Sequence, residues 1–563
     1  MKAVLFAVLL LVTSAALHAD DSPTLAEGQA AIQAQDFVGA AMILEVVTAR
    51  EPKNAVAWQL FGYALHAQGR MDEALAAHAK TSSFPTTAGV GSYNAACACA
   101  LLGRTDEAFG WLNKAKLVGY SLATAKTDPD FNSIRQDARF QKLFPSVLKG
   151  DALFVEKPRI LYTLVGEAAG DQFGWVARTV DDLDGDGVLD FAATAPSHAT
   201  GGVQSGRVYV YSGRAGKLLF SVDGKAGYSL GNSVAPAGDV NADGTPDLIA
   251  GAPGGGGNRS RAGTALVYSG KDGALLLSLT AGEAGDGFGT KVCSLGDLDG
   301  DGHSDVFAGA MYSNAGGSGS GRAYAYSGKT GQLLFTIDAE SAGDSFGSSA
   351  DCTREEGSNL LVVGAMTAGP KNTGRAYVYD VTNSGAELKF TIDGDQTSSN
   401  LGQYFVAIAG DVDADGTTDI YASDWNNAAR GLATGRVFIH SGATGELILT
   451  LTGTTRGEGF GTSPSTAGDV NRDGHADFIV GAWQHSSAAP AGGRCYLLSG
   501  KDGSELATYT SKQPGDTLGF DAVGIGDVDG DGGIDFLVTS AWSPALGPQT
   551  GRVFVIAGPT FTD

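Results

Sequence analysis

The sequence is poor in cysteine, in proline and in long apolar runs. The 563 residues include only 5 cysteines and 17 prolines, and beyond the first residues no apolar run is long enough to cross a membrane. So few cysteines in so long a chain do not make a disulfide scaffold. We therefore expect packing and bound metal to provide the stability, with Cys293, Cys352 and Cys495 as small core residues within strands.

Basic residues are also scarce. Lys and Arg number 38 against 62 Asp and Glu, which gives a formal net charge of −24. This balance argues against a nucleic-acid partner, because such partners need clustered positive charge over their phosphates.

The first 19 residues are typical of a secretory signal peptide. Lys2 precedes an apolar run over residues 3–12, and small residues lead to cleavage points at Ala16 or Ala19. We expect an exported protein that is secreted, periplasmic or held at the cell surface, with no membrane span.

A first repeat has a period of 34 residues. Ala40, Ala74 and Ala108 keep that spacing, and Gly69 and Gly103 begin the same short motif in consecutive units. This pattern resembles the tetratricopeptide repeat, which implies an all-α domain over residues 20–150. Such arrays commonly hold a peptide or a protein in a concave groove; the alternative is that the short array only packs against the next domain.

A second repeat is richer in glycine and in strand patterns. An Asp-rich loop begins every 57 or 58 residues, with one double step between Asp297 and Asp411. Each unit contains four short strand patterns separated by glycine turns, which is typical of a β-propeller. The double step predicts seven units, of which the fourth has lost its loop.

The motifs of this second repeat point to a family. Phe173-Gly174 and the later Gly251-Ala252-Pro253 resemble the FG-GAP repeat of integrin α-subunits. The resemblance implies an all-β, seven-bladed propeller with four strands per blade, over residues 151–563. The last unit lacks a fourth strand, and residues 160–164 form an unmatched strand at the start, so we expect that strand to complete the last blade.

The Asp-rich loops carry the metal chemistry. Oxygen-bearing side chains stand at positions one, three, five and nine, which curls them around one point and suits calcium, a hard cation that takes six to eight oxygen ligands. Four crowded carboxylates also repel one another unless a cation lies among them. The predicted calcium ligands are Asp182, Asp184, Asp186 and Asp190; Asp239, Asn241, Asp243 and Asp247; Asp297, Asp299, Asp301 and Asp305; Asp411, Asp413, Asp415 and Asp419; Asp469, Asn471, Asp473 and Asp477; and Asp527, Asp529, Asp531 and Asp535.

These sets predict six calcium sites, in blades one, two, three, five, six and seven. His303 and His475 stand at position seven, where only the backbone carbonyl is a ligand, so we expect neither side chain to bind metal. Residues 354–359 lack the spacing in blade four, and we expect no metal there.

The resemblance implies that ligands dock on the face without calcium. Trp425, Trp483 and Trp542 are expected at one equivalent position of the loops between strands two and three, as an aromatic platform for a protein or a surface glycan. The alternative is that they pack beneath those loops.

We find no catalytic motif and expect the protein not to be an enzyme. His198 and His485 lie in loops of the candidate face, so a Ser-His-Asp arrangement stays open there. The function expected is that of a secreted or surface calcium-binding protein that mediates protein–protein or cell-surface adhesion through the calcium-free face. The alternatives are a structural scaffold in the cell envelope and a hydrolase or lyase acting on extracellular polymers.

Overall fold

The computed structural model describes residues 23–561 apart from 119, 121, 123–124, 126–127, 138, 141–142, 144–149, 256–260, 282, 354–358 and 464–465. The chain divides into two compact units, Met1–Pro145 and Ser146–Asp563. The predicted signal peptide lies outside the described residues.

The first unit is helical. Its six α-helices are α1 (Leu25–Gln33), α2 (Phe37–Arg50), α3 (Ala55–Ala67), α4 (Met71–Thr81), α5 (Ala88–Leu101) and α6 (Thr105–Leu117). The periodic alanines Ala40, Ala74 and Ala108 are fully buried, because only a small side chain fits where two helices approach closely. Gly69 and Gly103 adopt φ of +76° and +72° directly after α3 and α5, as the predicted turns require. The helical fold is confirmed, and membership of the tetratricopeptide family stays a prediction.

A short 3₁₀ turn at Pro129–Phe131 follows the helices. Phe131, Ile134, Phe140 and Leu143 are buried against α5 and α6 and close this core. These residues therefore cover the end of the helical array.

The second unit is a seven-bladed β-propeller. Its 28 described strands form seven four-stranded antiparallel sheets. Blade one comprises β2 (Ala177–Thr179), β3 (Phe191–Ala195), β4 (Arg207–Tyr211) and β5 (Leu218–Asp223); blade two, β6 (Ser233–Gly238), β7 (Asp247–Ala252), β8 (Thr264–Tyr268) and β9 (Leu275–Leu279); blade three, β10 (Lys291–Gly296), β11 (Asp305–Ala310), β12 (Arg322–Tyr326) and β13 (Leu333–Asp338); and blade four, β14 (Phe346–Cys352), β15 (Leu360–Ala365), β16 (Arg375–Thr382) and β17 (Gly385–Asp393). Blade five comprises β18 (Val406–Ile408), β19 (Ile420–Asp424), β20 (Arg436–His440) and β21 (Leu447–Thr452); blade six, β22 (Thr466–Gly468), β23 (Asp477–Ala482), β24 (Arg494–Leu498) and β25 (Glu505–Thr510); and blade seven, β26 (Ala522–Gly524), β27 (Phe536–Ser540), β28 (Arg552–Ile556) and β1 (Ile160–Val165).

Position within the blade decides the burial of each strand. First strands of neighbouring blades contact one another, as β6, β10 and β14 do in succession, around a cavity of about 380 Å³. Second strands such as β11 are buried on both faces, because each blade packs between two others. Fourth strands such as β13 alternate between exposed and half-buried residues, which marks the outer rim.

The predicted closure of the ring is confirmed. Blade seven has the strand order β1-β28-β27-β26, so its outermost strand comes from the start of the unit. Thr163 pairs with Phe554 and Leu164 with Val553 in antiparallel register. The two ends of the propeller sequence are therefore hydrogen-bonded into one sheet.

One expectation about cysteine is wrong. Cys293 and Cys352 form a disulfide, with a Cα–Cα distance of 6.3 Å, instead of remaining separate core residues. Cys293 lies on β10 and Cys352 on β14, so the bond joins the inner strands of blades three and four. The distance between strands of different blades is set by the ring, and the sequence spacing alone did not reveal it. Cys495 is a buried free cysteine, as expected.

Candidate functional site: the acidic loops and the opposite face

The acidic loops connect the first and second strands of their blades, and position one organises each loop. In blade three, the Asp297 carboxylate accepts backbone N–H groups from Gly300 at 2.8 Å, Asp301 at 3.0 Å and Gly302 at 2.8 Å. Gly302 has φ of +84°, a left-handed conformation that glycine adopts without strain. The loop is thereby curled around the carboxylate, as the spacing predicted.

Position nine ties each loop to the residues that follow strand three, which form the turn to strand four in every blade except the seventh. Asp305 is fully buried; one oxygen accepts the Leu298 N–H at 3.0 Å and the other accepts the Gly328 N–H at 2.9 Å. All six loops make the second bond, at 2.9–3.0 Å: Asp190 with Gly213, Asp247 with Gly270, Asp305 with Gly328, Asp419 with Gly442, Asp477 with Gly500, and Asp535 with Gly558. The loops and these turns therefore share one face of the propeller.

Three of the four predicted ligand positions converge. In blades one, three, five and seven, carboxylate oxygens from positions one, three and nine all lie within 4.8 Å of one another. The four groups are Asp182, Asp184 and Asp190; Asp297, Asp299 and Asp305; Asp411, Asp413 and Asp419; and Asp527, Asp529 and Asp535. Closely spaced carboxylate oxygens are the donor set of a hard divalent cation, so these residues fit the ion that the spacing implies.

Position five and the asparagine loops differ in detail. The position-five carboxylates are not among these groups in the described chain; Asp301, for example, accepts the backbone N–H of His303 at 3.1 Å. In blades two and six, the position-three amides of Asn241 and Asn471 each donate to the position-five carboxylate at 3.3 Å. Both asparagines also keep an amide oxygen within the loop.

Burial changes the acidity of position nine. It raises the pKa of Asp247, Asp305 and Asp419 to about 6 against an ordinary value of 3.8, because a buried carboxylate loses hydration that its backbone hydrogen bonds replace only in part. The pKa of the other three position-nine residues is also raised. A cation in the loop would favour the ionised form.

Sequence reasoning missed basic side chains that reach three loops. Lys329 lies 3.7 Å from Asp301 in blade three, and two arginines contact the loops of blades seven and one. The Arg159 guanidinium contacts Asp529 at 2.6 Å and also pairs with Asp531 in blade seven. Arg214 contacts Asp186 at 3.1 Å in blade one. Arg159 directly precedes β1, and once that strand is assigned to blade seven its position beside the loop of that blade follows.

The two position-seven histidines have structural contacts. One ring nitrogen of His303 lies 2.7 Å from the carbonyl of Val240, and the same nitrogen of His475 lies 2.7 Å from the carbonyl of Val412. Each contact joins a loop to the preceding blade. Both histidines therefore connect neighbouring blades, and their non-ligand role stays a prediction. The blade-four stretch expected to lack metal is residues 354–359, of which 354–358 lie outside the described residues.

The loops between strands two and three open on the opposite face, because neighbouring strands are antiparallel. One positional prediction is wrong here: Trp425 and Trp483 directly follow β19 and β23, but Trp542 stands one position further, after Ala541. The side chains still meet. The ring centroids of Trp483 and Trp542 are 4.6 Å apart, and those of Trp425 and Trp483 are 6.2 Å apart.

Two further aromatic residues extend this group. Phe520 contacts both Trp483 and Trp542, and its centroid lies 4.9 Å from that of Trp175. We call Trp175, Trp425, Trp483, Phe520 and Trp542 the aromatic cluster; it runs across blades five, six, seven and one. All five side chains are half-buried, so they pack on one another and still reach the surface.

The two histidines of this face each lie between an acid and a hydroxyl. His485 contacts Glu458 at 2.6 Å through Nδ1 and Ser487 at 2.8 Å through Nε2. In blade one, His198 lies 3.1 Å from Asp171 and 2.5 Å from the hydroxyl of Thr200. The acids come from a different loop than the histidines, so sequence spacing did not identify them.

Comparison with known proteins agrees with this architecture. The FG-GAP repeat model matches residues 173–211, 230–268, 288–326 and 460–494, which lie in blades one, two, three and six. Four of the seven blades therefore carry a stretch that matches the FG-GAP repeat.

Its relatives include integrin α-subunits. The chain is 32% identical to integrin alpha-4 of Xenopus laevis over 28% of its own length and to integrin alpha-11 of Homo sapiens over 26%. It is 28% identical to the phosphatidylinositol-glycan-specific phospholipase D of Rattus norvegicus over 44% of its length. The matches span 16%, 13% and 34% of these relatives. No helix among the described residues has the length and apolar character needed to cross a membrane.

Proposed function

We propose that the chain is an exported, calcium-stabilised binding protein that attaches to a protein or to a cell surface through the aromatic cluster. The observation that carries this proposal is the distribution of tryptophan. The sequence has six tryptophans, of which Trp58 and Trp111 belong to the helical unit. The other four all belong to the aromatic cluster. The propeller fold alone does not explain why these four tryptophans lie on neighbouring blades and on one face.

The loops between strands two and three around the aromatic cluster are nearly free of charge although the chain is strongly acidic, and the charged groups of this face, such as Asp171 and Glu458, come from the links between blades. Residues 196–206, 483–493 and 541–551 contain no Asp, Glu, Lys or Arg, and residues 425–435 contain only Arg430. Depletion of charge together with enrichment of aromatic residues is typical of the core of a protein interface.

Aliphatic side chains stand at the tips of three of these loops. Val203, Leu432 and Leu546 are 79%, 64% and 70% exposed. They stand on blades one, five and seven, which also carry residues of the aromatic cluster, and exposed apolar side chains grouped on one side of a domain favour an interaction site there. This arrangement supports binding of a partner with an uncharged, largely apolar surface.

Calcium has a supporting role in this proposal. The acidic loops lie on the opposite face and connect strands within each blade, so the ions would hold the framework that presents the aromatic cluster. Extracellular modules bind calcium with Kd of roughly 10⁻⁴ to 10⁻³ M, which suits an exported protein. The helical unit provides a second protein-binding candidate through its predicted groove.

The test is binding of the purified chain to intact cells and to immobilised cell envelopes, with W483A/W542A as the variant. Tyr312 stands in blade three at the loop position that Trp542 occupies in blade seven, outside the aromatic cluster and 55% exposed, so Y312A is the matched control. We expect binding to fall at least tenfold for the tryptophan variant and to persist for Y312A. The tryptophan variant should melt at a lower temperature because it loses packed side chains, so binding is compared at a temperature at which all three proteins are folded. Equal binding by all three proteins would remove the aromatic cluster from the function.

A further inference from the structure

Ser487 is an exposed residue of the blade-six loop, and its hydroxyl is hydrogen-bonded to His485, which in turn contacts the buried acid Glu458. We propose that Ser487 is a base-activated nucleophile, a site that takes an acyl group from an activated ester. The proposal stands on the geometry of Glu458, His485 and Ser487, independently of the binding role proposed above.

Glu458 holds the other two residues of this group, His485 and Ser487, in place. Its side chain has no exposed surface, and it accepts hydrogen bonds from the Thr455 N–H at 2.8 Å, from the Tyr496 hydroxyl at 3.0 Å and from His485. These donors favour the carboxylate over the acid. A buried carboxylate with these partners has one orientation, and so does the imidazole that it holds.

His485 is poised to accept a proton. Its side chain is almost completely buried, and Nδ1 lies 2.6 Å from the Glu458 carboxylate, which can only accept, so Nδ1 carries the proton. The lone pair of the neutral ring then lies on Nε2, 2.8 Å from the Ser487 oxygen. A hydroxyl bonded to an oriented base in this way is the general arrangement of an activated serine.

The fold does not need this arrangement to shape its loops. The position of His485 is occupied by Ser313 in blade three, Asn427 in blade five and Ser543 in blade seven, and those loops close by the same backbone bond to the glycine before strand three. Blade one has a histidine and a hydroxyl, but there the hydroxyl is that of Thr200. A secondary alcohol is more hindered than a serine, so blade one serves as an internal comparison.

The proposed step is an acyl transfer. The Ser487 oxygen attacks the carbonyl carbon of the ester while its proton passes to Nε2 of His485. The new oxygen–carbon bond forms as the bond from that carbon to the leaving alcohol breaks, and the imidazolium returns the proton to the alcohol. The products are an ester on Ser487 and a free alcohol, and His485 is neutral again.

The experiment treats the folded, full-length chain with a fluorophosphonate probe and, separately, with p-nitrophenyl acetate, and locates the label by peptide mass spectrometry. We expect Ser487 to be modified at least tenfold faster than the adjacent Ser486 and expect S487A to lose the label. Ser486 is the matched control, because its hydroxyl donates to the Gln484 carbonyl at 2.8 Å and accepts the Ala491 N–H at 3.0 Å, whereas the described hydrogen bonds of the His485 ring go to Glu458 and Ser487. S486A should therefore leave the rate at Ser487 unchanged.

E458Q separates a positioning role from a structural one. We expect it to slow labelling of Ser487 and to alter the pH profile of that labelling, since the groups facing His485 are Glu458 and Tyr496. Y496F keeps the Glu458–His485 pair. If Glu458 acts through the histidine, this variant should retain most of the rate of Ser487 labelling. Equal rates at Ser486 and Ser487, or a label that survives in S487A, would overturn the proposal. The proposal would also be overturned if E458Q melted like the wild-type protein and Ser487 were labelled at the same rate in both.

Discussion

Thr163 on β1 pairs with Phe554 on β28, so residues from opposite ends of the propeller sequence lie side by side in one sheet. Every other blade takes its four strands from one continuous stretch of chain. The stability of the ring therefore depends on a strand that no neighbouring segment can replace.

Removal of residues 159–165 is expected to destabilise the whole propeller. The deletion exposes the edge of β28 and leaves its hydrogen-bonding groups unpaired, so we expect the Tm to fall by about 10 °C or more. Calorimetry measures this, with a chain truncated after Gly558 as the control of similar size. An unchanged Tm in the shortened protein would show that β1 does not close the ring.

Reduction of the disulfide should loosen one seam. Cys293 and Cys352 join blades three and four, and blade four is the blade whose sequence lacks an acidic loop. Loss of the bond frees a long loop in the unfolded state, so we expect the Tm to fall by about 5 °C in reductant. The C293A/C352A variant should melt at the same temperature with and without reductant. If reductant leaves the Tm of the wild-type protein unchanged as well, the bond does not contribute to stability.

Position three of the acidic loops is Asp in some blades and Asn in others, which allows the two side chains to be compared. Asn241 and Asn471 stand where Asp299 stands in blade three, so D299N should keep an oxygen ligand and its cation, with weaker affinity. D299A removes the ligand, and we expect it to lose one bound calcium per chain. Titration calorimetry gives the stoichiometry of both variants. Equal stoichiometry in D299A and wild type would exclude Asp299 as a ligand.

The stabilisation by calcium should depend on pH. Burial raises the pKa of Asp247, Asp305 and Asp419 to about 6 in the folded, metal-free protein, above the value of about 3.9 for an unfolded chain. Their contribution to stability is therefore fully present below about pH 4 and is lost as the pH rises through 6. Calcium reverses this loss, because it binds the ionised form.

The difference in Tm between calcium-loaded and metal-depleted protein should accordingly be larger at pH 7 than at pH 5. Differential scanning calorimetry at both pH values measures it. A difference that is equal at the two values would argue against ionisation of these aspartates on binding.

Much of the propeller could be predicted because each blade repeats a local pattern. The sequence predicts the position of Asp305, the glycine turns and the unmatched first strand. Their contacts lie within one blade or follow from closure of the ring. The helical turns at Gly69 and Gly103 could also be predicted, because their contacts lie within one repeat.

The missed features join parts of different repeats. The Cys293–Cys352 bond crosses a seam, Arg159 reaches a loop at the far end of the sequence, and Glu458 meets His485 from another loop. Their separations follow from blade geometry rather than from residue spacing. The position of Trp542 is a smaller error, because a one-residue offset after a strand is visible only when the register of that strand is known.

Calcium uptake by the full-length, metal-depleted chain tests the central claim most directly. Isothermal titration at pH 7, followed by calorimetric melting, should show about six calcium ions bound per chain and a large rise in Tm. A chain that takes up no calcium, and melts at the same temperature with and without it, would contradict the account.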